Sequence, residues 1–258
     1  MVDEHSPQFK VAAARRMLYR AGLDPDDMAG QVTVRDRDDP TSYWTSPMET
    51  FDVTTPGSVV KLTAYLEPIA GGVTSEGRFI IESDAGSAVS TASGWVGGIF
   101  AARPDVGCVI HTHAPHIGAV ATTGDVVQLY NNRSLIFYGD QSFYDDDGTH
   151  TDSKEEIVAQ LGARNVLIMR NHGAAVVGET VEEATMRAVL LERAAQFQVL
   201  AQSIGGSPFA DDPVFERRRI PHVTNLALLW DSHLRRLRRT DPDLFEPVGE
   251  FAGAGVRG

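Results

Sequence analysis

Apolar positions along the 258-residue chain change period several times, and each change marks an element. In QFKVAAARRMLYR (8–20) they fall at helical spacing and the run stops at Gly22, which predicts an opening helix. GQVTVRD (30–36) alternates apolar and polar residues as a half-buried strand does. DRDDPTSYW (36–44) then supplies the Asp, Pro and Ser of a turn. Further short strands are expected at 50–54, 58–62 and 77–82. ASGWVGGIFAA (92–102) reads as a helix, although Gly97 and Gly98 each cost it about 1 kcal/mol against alanine. The apolar run VGCVIHTH (106–113) predicts a buried strand that ends in histidines. A helix follows from Pro115, since proline suits a first helical position.

Downstream, Ser153 with Glu156 predicts a capped helix over 153–161, closed by Gly162. NVLIMRNHGAAVVG (165–178) predicts two strands around a turn at Asn171-His172-Gly173. Thr180 with Glu183 caps a long helix to about residue 204, and a last amphipathic helix covers roughly 224–240. No repeat and no Pro/Gly/Ser-rich linker divides the chain, so a single α/β domain over 1–258 is expected.

Composition narrows the function. Hydrophobic residues at 42% and charged residues at 22% are ordinary for a globular protein. The formal charge of −12 leaves no basic stripe to neutralise phosphates, which excludes nucleic acid as a partner. The basic run Arg235-Arg236 and Arg238-Arg239 reads as a solvated helix face or a subunit contact. Cys108 is the only cysteine, so there is neither an intrachain disulfide nor a cysteine-rich zinc site. The opening MVDEHSPQFK has no apolar core of a signal peptide, and no apolar run reaches membrane-spanning length. A cytoplasmic protein without membrane contact is expected.

The candidate chemistry lies in VIHTHAPH (109–116). On a strand, residues i and i+2 share a face, so His111 and His113 project together while Thr112 points away. That spacing suits two imidazoles on one metal ion, although such pairs also occur without metal. His172, at the turn between two predicted strands, is a third candidate. Three neutral imidazoles leave open coordination positions, the composition of a catalytic rather than a closed structural site. His116 reads as a residue at the mouth of the site or a helix cap. His150 reads as a loop residue, and His5, His222 and His233 as structural.

ARPDVGCVIHTHAP (102–115), followed by LIMRNHGAAVVGETVEEA (167–184), resembles the class II aldolase/adducin family. AGQVTVRDRDDPTSYWTSP (29–47) and FYGDQSFYDDDG (137–148) resemble it in the same order. The resemblance covers about residues 10–240. It implies a three-layer α/β/α fold with a central, mainly antiparallel sheet, one divalent metal ion per chain (Zn, Mn or Fe) on His111, His113 and His172, a small-molecule substrate, and a homotetramer with sites near subunit contacts.

The chain departs from the fuculose-phosphate-type aldolases at one chemical position. These carry a glutamate nineteen residues before the first ligand histidine, where this sequence has Ala92. Alanine moves no proton. The phosphate loop GNVS reads GQVT here, with Gln31 for asparagine, and a phosphosugar substrate is not expected. The expected chemistry is metal-assisted carbon–carbon cleavage, aldolase or decarboxylase, of a non-phosphorylated hydroxy- or keto-carboxylate. Loss of CO2 needs no base to start it, and the metal acts as Lewis acid. Tyr138 and Tyr144 are the candidate proton donors, and Gln31, Arg170 and His116 the candidate substrate contacts. Asp140 and Asp145 are further proton carriers to consider. Aromatic Trp95, Phe100, Phe137 and Phe143 either line a pocket or belong to the core. Two alternatives stand beside this reading: a non-haem iron oxygenase that oxidatively decarboxylates an aryl-pyruvate or hydroxy acid, and a non-catalytic, adducin-like scaffold.

Overall fold

The computed structural model describes residues 2–24, 28–65, 67–72, 93–145 and 154–246. Among them eight strands form one sheet: β1 (Gln31–Arg35), β2 (Ser42–Thr45), β3 (Val60–Thr63), β4 (Pro68–Gly71), β5 (Cys108–Thr112), β6 (Gln141–Tyr144), β7 (Val166–Met169) and β8 (Gly173–Gly178). Their order is β4-β3-β2-β1-β5-β8-β7-β6, antiparallel throughout except for the parallel pair β6–β7. The α-helices are α1 (Pro7–Ala21), α2 (Ser93–Ala102), α3 (Pro115–Ala121), α4 (Lys154–Leu161), α5 (Val181–Ser203), α6 (Val214–Thr224) and α7 (Leu226–Thr240).

Strand alternation sorts the core into two layers. On one face Val32, Ile110, Ile168 and Val176 pack against Phe9 and Leu18 of α1, Ile117 of α3, Leu191 of α5 and Trp230 of α7. On the other, Val109, Leu167, Ala175 and Val177 pack against Trp95 and Ile99 of α2 and Ile157 and Leu161 of α4. This is the expected three-layer α/β/α arrangement. The central strands β5, β7 and β8 are buried at every residue, which is why their sequences read as continuous apolar runs.

Most helix ends follow the expected local chemistry. Gly22 closes α1 in the left-handed region (φ +85°), and Thr180 accepts the Glu183 amide at the start of α5. The Ser153 cap and the strand expected at 77–82 lie outside the described residues. Two expectations need correction. The stretch 50–54 is a turn, with the Val53 amide bonded to the Thr50 carbonyl, because Phe51 lies under the Arg15 guanidinium, 3.9 Å from ring centroid to Cζ, rather than in a ladder. The turn after β1 is shorter than its composition suggests. Asp36 accepts the Asp38 and Asp39 amides, and Ser42 already begins β2.

β8 starts where β5 ends, and the two backbones nearly touch. A Cβ on Gly173 would stand 2.1 Å from the Thr112 carbonyl oxygen. Gly173→Ala is therefore expected to lower folding stability by about 3 kcal/mol, at the upper end of overpacking costs. A fall in the urea midpoint without a change in slope measures it.

Candidate metal centre

Three elements deliver the three histidines to one point. His111, in β5, is paired with Gln31 of β1 and Ala175 of β8, is 3% exposed, and faces the α2 layer. The Trp95 ring meets its imidazole edge to face at 5.3 Å between centroids. His111 Nδ1 lies 3.2 Å from the Ala174 carbonyl oxygen. A carbonyl only accepts, so Nδ1 carries the proton and Nε2 presents a lone pair.

His113 follows the strand end, and Asp24 fixes it there. The Asp24 carboxylate, 1% exposed, accepts the His113 amide and the Thr112 hydroxyl, both at 2.5 Å. His172 comes from the turn between β7 and β8. Asn171 takes up the left-handed conformation there (φ +53°), which asparagine tolerates better than most residues, and the His172 amide bonds back to the Met169 carbonyl.

The outcome is convergence. His113 Nε2 lies 2.9 Å from His111 Nε2 and 3.1 Å from His172 Nε2, and the three ligand atoms fall within 4.8 Å of one another. The His113 and His172 rings are nearly parallel (26°), and His111 stands at right angles to His113. Nitrogens bound at about 2.0–2.1 Å to a tetrahedral ion stand about 3.4 Å apart, so this spacing fits a metal tripod. Imidazole donors suit Zn, Fe and several other divalent ions.

Other residues singled out in the sequence are placed unevenly. Gln31 sits beside His111 in register, 1% exposed, with its amide nitrogen donating to Thr33 Oγ1 at 3.1 Å. His116, in the first turn of α3, is held by Glu192 of α5. Tyr144 stands at the histidine end of β6, in register with Met169, and its hydroxyl donates to Glu156 at 3.2 Å beneath α4.

Tyr138 is not brought to the histidines. β6 runs parallel to β7, so residue 138 lies at the opposite end of the strand from the His172 turn. Its hydroxyl is bonded to Asp211, which pushes its pKa up, and its ring packs on Phe215. A proton-donor role for Tyr138 at the histidines of its own chain is corrected accordingly. Arg170 is ion-paired with Asp145 and lies over the Phe143 ring at 5.5 Å, so both charges are occupied structurally. Asp140 clamps Asn165 through its amide and side chain. Trp95, Phe100, Phe137 and Tyr144 are buried in the two cores. Ala92 and His150 lie outside the described residues.

Residues 9–199 match the family profile described as the Class II Aldolase and Adducin N-terminal domain. The chain belongs to the class II aldolase/adducin family. Among relatives within reach of its sequence is the 4-hydroxy-3-prenylphenylpyruvate oxygenase/4-hydroxy-3-prenylbenzoate synthase of Streptomyces roseochromogenus subsp. oscitans. It is 28% identical over 206 residues, covering 78% of this chain and 69% of that one. The decarboxylase NovR of Streptomyces niveus is 28% identical over 202 residues, covering 77% and 70%. The class II aldolase fold is shared with L-fuculose 1-phosphate aldolase from Glaciozyma antarctica PI12, at TM-score 0.79 and 22% identity over 93% of this chain and 91% of that one.

Sequence reasoning missed two carboxylates that hold the backbone around these histidines, Asp24 and Glu192. Glu192 had a readable signal, a charge on the buried stripe of α5 between Ala188 and Ala195. Asp24 had none, since it lies in a polar loop among other acids. Asp24→Ala leaves the His113 amide and Thr112 hydroxyl without their acceptor. It is expected to cost about 1–3 kcal/mol of stability and to weaken zinc binding about 10-fold or more. Thermal unfolding and competition with a chromogenic chelator check the two effects separately.

Proposed function

We propose that the chain is a divalent-metal-dependent carbon–carbon lyase, an aldolase or decarboxylase, acting on a non-phosphorylated hydroxy- or keto-carboxylate. His111, His113 and His172 hold one ion (Zn, Mn or Fe) per chain. The observation that carries this reading is the convergence of three imidazole Nε2 atoms at the end of β5 and β8. When bound, the ion supplies Lewis-acid polarisation of a substrate oxygen. The chain's own residues do the rest. The Ala174 carbonyl and Asp24 hold two of the three ligands in orientation, the buried Trp95 closes the site against water behind His111, and Gln31 offers an amide beside it.

Ala92, in place of an acid/base carboxylate, favours decarboxylation, where CO2 loss needs no base. The kinship to a decarboxylase supports the same choice. Tyr144 is the tyrosine at the correct sheet end for proton delivery. Arg170 reaches a substrate carboxylate only by giving up Asp145.

The chain works as a homo-oligomer, a tetramer in this reading, and as a cytoplasmic protein. Exposed Phe197 and Leu200 on α5, with Ile204 just past its end, support assembly, and no helix among the described residues is long and apolar enough to cross a membrane.

A second reading is favoured by one specific relative, an oxygenase acting on a prenylated phenylpyruvate. With iron on the histidines, the chain then carries out oxidative decarboxylation of an aryl-pyruvate or hydroxy acid. Protein purified without oxygen and loaded with Zn, Mn or Fe(II) separates the two, using phenylpyruvate and aromatic hydroxy acids as probes. Release of CO2 or aldehyde without O2 uptake is expected. O2 consumption coupled to substrate with iron alone would replace the lyase by the oxygenase. Absence of bound metal would leave a non-catalytic scaffold. His111→Ala and His172→Ala are each expected to lower bound metal from about one per chain to background and to abolish turnover; metal retained in either variant would remove that residue from the ligand set.

A further inference from the structure

Glu192 is a carboxylate on the buried face of α5, 2% exposed, and it makes more bonds than its structural task needs. Its two oxygens accept the first free amides of α3: His116 N to Oε1 at 3.1 Å and Ile117 N to Oε2 at 3.0 Å. Those two bonds already satisfy the start of the helix and neutralise the buried charge against amide dipoles. A third contact joins Oε1 to His116 Nδ1 at 2.5 Å. Its effect is on the imidazole alone. A carboxylate accepts, so Nδ1 carries the proton and the remaining lone pair of the ring is at Nε2.

The placement of that ring gives the tautomer a use. Only Ala114 and Pro115 separate His116 from His113, so its Cα lies within about 11 Å of the ligand's. The same helix returns toward the third ligand: a Cβ on Gly118 would stand 3.9 Å from the His172 carbonyl oxygen. The first turn of α3 thus lies beside the segments that carry His113 and His172. The His116 side chain is 33% exposed, whereas the Glu192 side chain behind it is 3% exposed. An imidazole anchored at Nδ1 by a buried carboxylate, and itself partly open to solvent, has the form of a general acid/base.

We propose that His116 is the proton-transfer residue of this site, standing in for the acid/base carboxylate absent at Ala92, and that Glu192 is its positioning residue. The proposal rests on the carbon–carbon lyase reading above. In the step assigned to it, the C–H bond next to the substrate carbonyl breaks, its proton passes to His116 Nε2, and the bonding pair moves into the enolate. The resulting imidazolium returns a proton to the same carbon, which closes the exchange cycle. Charge and atoms balance without a further reactant.

The test uses pyruvate in D2O with the zinc- or manganese-loaded full chain, following exchange of the methyl protons by NMR, with metal content measured on each sample. His116→Asn keeps a side-chain N–H near Glu192 and deletes only Nε2. It is expected to lower kcat for exchange at least about 100-fold with KM and bound metal unchanged. Glu192→Gln is expected to lower kcat about 10-fold, again at constant KM and metal content.

Exchange that survives His116→Asn at the wild-type rate overturns the proposal alone. Loss of metal from His116→Asn also overturns it, since the residue would then serve ligand geometry. No exchange by the metal-loaded wild type overturns the lyase reading and the proposal with it.

Discussion

The contact on which the site depends is the near-collision of two backbones at the ends of β5 and β8. Gly173 lies against the Thr112 carbonyl so closely that any side chain would overlap it. That approach sets the turn before β8 beside the segment after β5, and so brings His172 within 3.1 Å of His113 across 59 residues of sequence. Bulk at residue 173 would part the two strand ends and separate the ligands. The remainder of the fold, with both faces of β5, β7 and β8 covered by helices, keeps those ends from moving apart.

A second constraint comes from behind the sheet. Thr112 points away from His111 and His113, into the layer of α1 and α5, and two buried carboxylates of that layer take hold of the segment 112–117. Asp24 accepts from Thr112 and His113, and Glu192 accepts from His116 and Ile117. The backbone of His111 and His113 is therefore hung from charges on one face while their imidazole nitrogens are presented on the other. Ordered in advance in this way, the ligands lose little freedom on taking up an ion.

How much of this the sequence carries depends on how local each determinant is. The pair His111 and His113 needs only the two-residue period of a strand, and Asn171-His172-Gly173 reads as a turn from its residue types alone. α1 and α5 announce their ends through Gly22 and Thr180, and the continuous apolar runs of β5, β7 and β8 betray burial on both faces. Ser42, Tyr43 and Trp44 were obscured by the Asp-rich turn before them, and Phe51 by its contact with Arg15, a long-range partner. α6 contains Pro221 in its interior and so lacks the usual mark of a helix. The partners of Asp24 and Glu192 lie 89 and 76 residues away, beyond any periodicity. Nothing near Tyr138 in the sequence reveals that β6 pairs parallel with β7, which puts its end of the strand away from the histidines of its own chain.

Membership of the class II aldolase/adducin family and the geometry of the tripod meet in one claim, that the three histidines bind a single divalent ion. X-ray absorption at the metal edge of the zinc-loaded protein addresses it most directly. The account predicts three imidazole nitrogens at about 2.0–2.1 Å, with the remaining scattering from light solvent atoms. A first shell of oxygen ligands without imidazole multiple scattering would contradict it.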